Sequence, residues 1–169
     1  VGAPISGNAR HCVSAKSPLT GTIGSSEGGG FWGPELRFAG FDAIVIKGKS
    51  PQPVYLWIHD GEFQLKDASH LWGKVTGEVQ DTIRKELGDE RIRVAQIGPA
   101  GENGVLYANI TNELKHFNGR CGFGAVMGSK KLRAIAVRGK MKPEYVDPDT
   151  IKELAKKGAA KVAADGFYK

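Results

Sequence analysis

An α+β fold built on antiparallel sheets, with hairpins and a few packed helices, is the architecture this sequence predicts. Three observations predict it. An Asp60-Gly61 pair separates two runs of alternating residues, the strongest short-range signal of a β-hairpin. Further strand-like runs follow without a helix placed regularly after each, which argues against a parallel strand–helix–strand array. Helical stripes with recognisable stops stand apart from the strands. The chain has 169 residues, enough for one domain with a proper core. No low-complexity linker divides it, so a single domain over 1–169 is expected.

The elements follow in chain order. Residues 10–16 read as a short strand, stopped by Ser17-Pro18. A glycine-dense turn is expected from Gly21 to Gly30. Phe31, Trp32 and Leu36 have helix-like spacing, ended by Gly40. Asp42 to Lys47 is apolar and β-branched and reads as a buried strand. Val54, Leu56 and Ile58 alternate with Tyr55 and Trp57, and the return strand runs from Glu62 to Lys66. Thr76 is placed as the cap of a helix whose stripe is Val79, Ile83 and Leu87, with Gly88 as its stop. Strands are expected at 91–97, 106–110 and 132–137, with a tight turn at 98–103. Asp147-Pro148 opens a last helix, whose buried face would be Ile151, Leu154, Ala155, Val162 and Ala163. Residues 147–169 then read as the start of a helical continuation.

Composition narrows the function classes. The 40% hydrophobic and 25% charged shares are those of an ordinary globule. No stretch approaches the roughly 20 apolar residues that cross a membrane, and no secretory signal is visible. The net charge of +6 suggests acidic ligands or nucleic acid. The basic residues are spread out, however, with nothing longer than pairs such as Lys130-Lys131, so a solvated basic surface is expected and nucleic acid is not. Cys12 and Cys121 form no C-x-x-C pair, so the chain has no zinc or iron–sulfur signature of its own. Unpaired cysteines suit a reducing cytoplasm. The opening Val1-Gly2-Ala3-Pro4 enters a turn-rich motif directly and reads as part of something longer.

Glycine carries the functional signal. The 24 glycines are roughly twice the average usage and are clustered. Such clusters mark tight turns or close approach of backbone to a ligand. The first is Gly24-Ser-Ser-Glu-Gly-Gly-Gly-Phe-Trp-Gly33, whose N–H groups ahead of a helix suit an anion. The second is Asn118-Gly-Arg-Cys-Gly-Phe-Gly-Ala-Val-Met-Gly-Ser129, where Arg120 between glycines can present its fork to a phosphate. It lacks the G-x-x-x-x-G-K-[ST] of a P-loop and follows a strand too distantly for a dinucleotide fingerprint. For each cluster a plain structural turn is the competing reading. Arg10 as a surface cation, and His59, His70 and His116 as structural hydrogen-bonding residues, are the defaults. No Ser/His/Asp arrangement or paired carboxylates are defensible.

Six blocks change the balance: Lys16-Ser-Pro-Leu-Thr-Gly21, Gly29-Gly-Phe-Trp-Gly-Pro-Glu-Leu36, Phe38-Ala-Gly-Phe-Asp-Ala43, Asp67-Ala-Ser-His-Leu-Trp-Gly73, Ile97-Gly-Pro-Ala-Gly-Glu-Asn103 and Gly122-Phe-Gly-Ala-Val-Met-Gly-Ser-Lys130. In order and spacing, from about residue 3 to about residue 140, they resemble the N-terminal domain of aldehyde:ferredoxin oxidoreductases. The resemblance implies a domain whose antiparallel sheets form the base under a tungsten (or molybdenum) bis-pyranopterin with Mg²⁺ between the pterin phosphates. Further strands upstream and helical domains downstream, the latter with the ligands of a [4Fe–4S] cluster, would lie outside this chain. The stretch alone would therefore be inactive, with no catalytic residue of its own.

The implied reaction oxidises an aldehyde to a carboxylic acid, with ferredoxin as electron partner and a homodimer as one arrangement of the whole enzyme. By the same resemblance Arg10 lies near the pterin. Glu27 takes an asparagine position whose backbone carbonyl helps hold magnesium, and Gly28 and Gly29 continue that contact. The family's usual His-Arg-Ala-Ala-Gly-Arg-Gly-Gly reads here Lys115-His-Phe-Asn-Gly-Arg-Cys-Gly122. His116, Phe117 and Asn118 thus take an arginine and two alanine positions, Phe117 with a carbonyl toward magnesium, while Gly119 and Arg120 match and Cys121 replaces glycine. These departures leave open another substrate, an acyl-CoA or an aromatic ring. A non-catalytic phosphate- or nucleotide-binding module is the alternative outside the family.

Overall fold

Strands form here where alternating side chains find a partner. The computed structural model describes residues 1–141 and 143–165. In chain order the elements are β1 (His11–Lys16), β2 (Ile23–Gly28), α1 (Trp32–Phe38), β3 (Val54–His59), β4 (Glu62–Asp67), α2 (Thr76–Leu87), β5 (Arg93–Gln96), α3 (Pro99–Glu102), β6 (Ile110–Asn112), β7 (His116–Asn118), α4 (Phe123–Ser129), β8 (Leu132–Arg138) and α5 (Pro148–Ala164). The Asp60-Gly61 hairpin is as expected. Both residues have positive φ, 42° and 87°, which turns β3 directly into β4 with Ile58 opposite Phe63.

A two-stranded sheet pairs β1 with β2. A six-stranded sheet has the order β4-β3-β8-β5-β6-β7. Its pairs are antiparallel except β3 with β8, which run parallel. The pleat sends alternate residues to opposite faces. On one face Leu56, Ile58, Ala95 and Ile135 join Trp32 and Leu36 of α1 and Phe123 and Met127 of α4. On the other, Tyr55, Val94, Ala134 and Ala136 meet Val79 and Ile83 of α2. Those two α2 residues are fully buried, each contributing about 1.5–3 kcal/mol of transfer free energy.

The register of β3 on β8 shifts between Val54 and Tyr55, opposite Leu132 and Ala134. The extra residue at that bulge is Arg133, fully buried and aimed at the α2 side. Its Nε lies 2.7 Å from Glu102 Oε1, and its Nη2 donates to the Lys74 carbonyl at 2.9 Å. Glu102 in turn accepts from the Gly73 N–H at 2.8 Å. This ion pair ties α3 to the sheet.

Several expectations are corrected. Most of the expected turn at 21–30 is strand β2, because β1 offers it a ladder from His11–Gly28 to Lys16–Ile23. Its glycines are positions of close approach rather than breaks. Residues 42–47 form no strand and are mostly exposed, with Val45 at 80%. β propensity is realised only against a partner, and no described residue supplies one. Val75, extended, is the residue before α2 and makes no side-chain cap, while the Thr76 carbonyl accepts from Gln96 Nε2 at 2.8 Å. Gly88 stops α2 in the left-handed conformation, as expected.

The expected strand at 106–110 starts only at Ile110, as β6. Leu106 and Tyr107 are exposed, and the Ala108 carbonyl instead receives the Gly124 N–H of α4 at 2.9 Å. Residues 98–103 contain the short helix α3 rather than a plain turn. Helix α4 and strand β7 were not anticipated. Asp147 caps α5, its Oδ1 accepting the Thr150 N–H at 2.9 Å. The expected apolar face of α5 is not buried, and none of its residues is. The end of the expected continuation, 166–169, lies outside the described residues.

Candidate functional site

Two hairpins converge at the edge of the six-stranded sheet, one made of β1 and β2, the other of β6 and β7. They bring the two glycine-rich segments, about ninety positions apart in the chain, into direct contact. The central contact is Asn118, fully buried. Its Nδ2 donates to the Ser26 carbonyl of β2 at 2.8 Å. That fixes the amide orientation, so its Oδ1 faces His11 Nε2 of β1 at 3.0 Å. His11 is therefore the Nε2–H tautomer. Its pKa is lowered, first by burial and against the raising effect of the Asn118 hydrogen bond. Its ring also packs on Trp32, with centroids 4.9 Å apart. Two residues after Asn118, the Arg120 N–H donates to Ser26 Oγ at 3.3 Å.

The glycines sort by what a side chain would meet. A Cβ at Gly28 would press on His11 and on the Asn118 amide, and one at Gly24 would meet Cys121 Sγ at 2.7 Å. A Cβ at Gly122 would clash with the Leu106 carbonyl, and Gly122 also has φ 69°. These three are required by packing. Gly29 and Gly119 are different. Around Gly29 the nearest foreign atom is His116 Nδ1 at 3.5 Å, and around Gly119 it is Phe117 Cβ at 4.0 Å. Neither is crowded by protein, a Cβ at each meeting one neighbour at ordinary contact distance, and one comes from each segment, which is the arrangement a backbone-lined cradle needs.

The other predicted site residues lie around these two. Arg10 and Glu27 are exposed, with side chains 68% and 62% accessible and 3.9 Å apart. His116 and Phe117 are half-exposed on β7, and Arg120 is exposed. So Arg10, Glu27, Gly29, His116, Phe117, Gly119 and Arg120 border one accessible edge. Gly28 and Asn118 stand behind it, and Asn118 contacts protein atoms rather than the open side.

The anion expected at the start of α1 is supplied by the chain itself: the Phe31 N–H donates to Glu113 Oε2 at 2.9 Å. Sequence reasoning missed Glu113, His11 and Ser26, because no local pattern links residues so far apart. His59 and His70 have structural partners, Glu62 at 3.9 Å and Glu86 at 2.6 Å. Both cysteines are free.

A cavity of about 520 Å³ lies beside the first hairpin. Its walls combine apolar Trp32, Ile44, Leu132 and Ile135 with basic Arg10, Arg37 and Lys130. Arg10 lines this cavity and also borders the glycine edge, so the two adjoin. Among the described residues no three His, Cys, Asp or Glu side chains form a metal-binding group, and no helix is long and apolar enough to cross a membrane.

Comparison with known proteins gives the context. Residues 1–139 match the model of the aldehyde ferredoxin oxidoreductase N-terminal domain. The tungsten-containing aldehyde ferredoxin oxidoreductase of Pyrococcus furiosus is 55% identical over 130 residues, 77% of this chain and 22% of that protein. Its Pyrococcus abyssi counterpart is 46% identical over 156 residues, 92% of this chain and 26% of that protein. The WOR-like subunit of the Pyrococcus furiosus aliphatic sulfonate oxidoreductase is 38% identical over 160 residues. Among solved structures, the active-site complex BamBC of benzoyl coenzyme A reductase with 1,5-dienoyl-CoA superposes with a TM-score of 0.92 at 42% identity. It covers 96% of this chain and 25% of its own. The chain thus spans about a quarter of the length of the relatives it matches. With the family's blocks, its α+β fold and the two glycine segments meeting at one edge, this chain belongs to the aldehyde ferredoxin oxidoreductase family, as its N-terminal domain.

Proposed function

We propose that this chain is the pterin-cradling part of a tungsten oxidoreductase that converts aldehydes to carboxylic acids and passes the electrons, through a [4Fe–4S] cluster held elsewhere in the polypeptide, to ferredoxin. The observation that carries the reading is the pair of glycines not required by packing, Gly29 and Gly119, on adjoining segments bordered by Arg10 and Arg120. The two pterin phosphates and their Mg²⁺ need backbone donors, carbonyls and cations, which the glycine backbone and the two exposed arginines of this edge would supply. Arg120 would bind phosphate through its fork, Arg10 would add positive charge beside the pterin, and the carbonyls of Glu27 and Phe117 would face the magnesium. When bound, the cofactor supplies the two-electron oxidation of the aldehyde, with water as the oxygen source. The residues here bind and orient it. Buried Asn118 and His11 act from behind, locking the two segments to each other.

A second reading keeps the cofactor and changes the substrate. Its support is the close superposition on a complex holding 1,5-dienoyl-CoA, together with His116, Phe117 and Asn118 where the usual pattern has arginine and alanines. The test uses the full polypeptide, produced anaerobically with tungsten. Tungsten or molybdenum with pterin in the purified protein is expected, and absence of both refutes the proposal in favour of a non-catalytic phosphate-binding module. Arg120→Ala should lower pterin content severalfold, and unchanged content would remove Arg120 from the cradle. Viologen-coupled turnover of aldehydes, against aromatic CoA thioesters, separates the two substrates.

A further inference from the structure

We propose that Glu113 is a positioning residue for this cradle, holding the glycine turn from behind so that Gly29 stays presented to the open side. The inference rests on the cofactor-binding reading above. Glu113 sits in the turn between β6 and β7, and its side chain is only 10% exposed. One carboxylate oxygen accepts the Phe31 N–H, across 82 positions of sequence. The other lies 3.1 Å from Arg93 Nη1. The Arg93 guanidinium lies over the Phe31 ring, 5.0 Å from its centroid. Glu113, Arg93 and Phe31 thus close a unit in which the carboxylate fixes the backbone and the arginine fixes both the carboxylate and the ring. The arginine also offsets the buried negative charge, which would otherwise repel phosphates at the cradle.

Two further observations point the same way. Glu113 and Leu114 both have left-handed backbones, φ 53° and 60°, a conformation that costs a non-glycine residue energy and persists only where the surroundings enforce it. Glycine or asparagine would relieve that strain at 113, but neither could carry a carboxylate to Phe31. The turn it holds is shaped to receive it. Gly30 has φ 85°, and a Cβ there would meet the Glu113 carboxylate, the His116 ring and the Asn112 amide together. Three side chains of the second hairpin therefore converge on Gly30, while a Cβ at the neighbouring Gly29 would meet only His116, at an ordinary contact distance.

The test compares Glu113→Gln and Glu113→Ala in the full polypeptide, with two readouts. The first is amide exchange of the 28–33 segment in cofactor-free protein. The second is tungsten and pterin per chain after growth with limiting tungsten. Glu113→Ala should speed exchange at Phe31 about tenfold or more, the loss expected for one hydrogen bond to a charged acceptor, and should lower cofactor content severalfold. Glu113→Gln keeps an oxygen acceptor for Phe31 and should retain most of both. Unchanged exchange in Glu113→Ala overturns the proposal. So does a Glu113→Gln protein as impaired as Glu113→Ala, which would assign the effect to the Arg93 charge pair alone. So would a Glu113→Ala protein with altered exchange but full cofactor content, which would reduce Glu113 to a local structural contact. A wild-type protein with neither tungsten nor molybdenum overturns the functional reading instead, and exchange at Phe31 still decides whether Glu113 holds the turn.

Discussion

The ion pair of Arg133 and Glu102 gives the sharpest test of how this domain is held together. Both side chains are buried, at 0% and 3% accessibility, with 2.7 Å between Nε and Oε1. The guanidinium has other acceptors in Leu71 O, Lys74 O and Gln96 Oε1, all neutral. Burial pulls the arginine's pKa down and Glu102 opposes that pull. Glu102→Ala removes the one negative charge of the pair and also orphans the Gly73 N–H that Glu102 accepts. Breaking a buried pair from one side costs about 3–5 kcal/mol, a large share of the ~5–15 kcal/mol that holds a typical domain. With a urea slope of about 2 kcal/mol/M, the midpoint followed by tryptophan emission should fall by ~2 M. Replacing both partners by apolar residues, Glu102→Leu with Arg133→Met, should recover most of the loss, because no uncompensated charge remains. A Glu102→Ala midpoint within about 0.5 M of wild type, at unchanged slope, would refute the reasoning by showing that the guanidinium is solvated without its partner.

Other perturbations probe other links. Asp89 accepts from Arg91 and Arg138, and these hydrogen bonds, those of Arg91 first, hold its carboxyl well below the usual carboxylate range. A depressed folded pKa means the contribution is complete above about pH 4 and is lost as pH falls through the folded value. Asp89→Asn should therefore flatten the acid limb of stability against pH and leave its neutral shape unchanged, as thermal melts across pH 2–7 will show. Two glycines separate packing from backbone strain. A Cβ at Gly139 would clash with the Phe38 and Ala39 backbone, so Gly139→Ala should prevent soluble accumulation or lower the melting temperature severely. Gly61 has open space but φ 87°, so Gly61→Ala should cost only about 1–2 kcal/mol.

The candidate site was partly legible in advance. Both glycine-rich segments stand out by composition, and the family blocks around them set which residues to examine. The purpose of individual glycines was not legible. Gly24, Gly28 and Gly122 yield to protein neighbours, Gly29 and Gly119 do not, and only the folded neighbourhood separates the two groups. Asn118 shows the same limit. The resemblance placed it among cofactor contacts, but the fold turns its amide toward Ser26 and His11.

Taken alone, the sequence determined what depends on neighbours along the chain. The Asp60-Gly61 hairpin, the stripe and stop of α2, the opening of α5 at Asp147-Pro148 and the last strand, β8, all follow from periodicity and local φ preferences, which act over a few residues. Tertiary structure decided what depends on a partner far away. Residues 42–47 have strand composition and no strand to pair with, whereas the glycine-rich 23–28 became a strand because β1 lay beside it. The apolar stripe of α5 found no surface among the described residues to bury it. Glu113 became the anion at the start of α1 because the β6–β7 turn carried it there. Hydrogen-bond ladders and buried charges are satisfied by whichever group arrives in space, and only the fold selects that group.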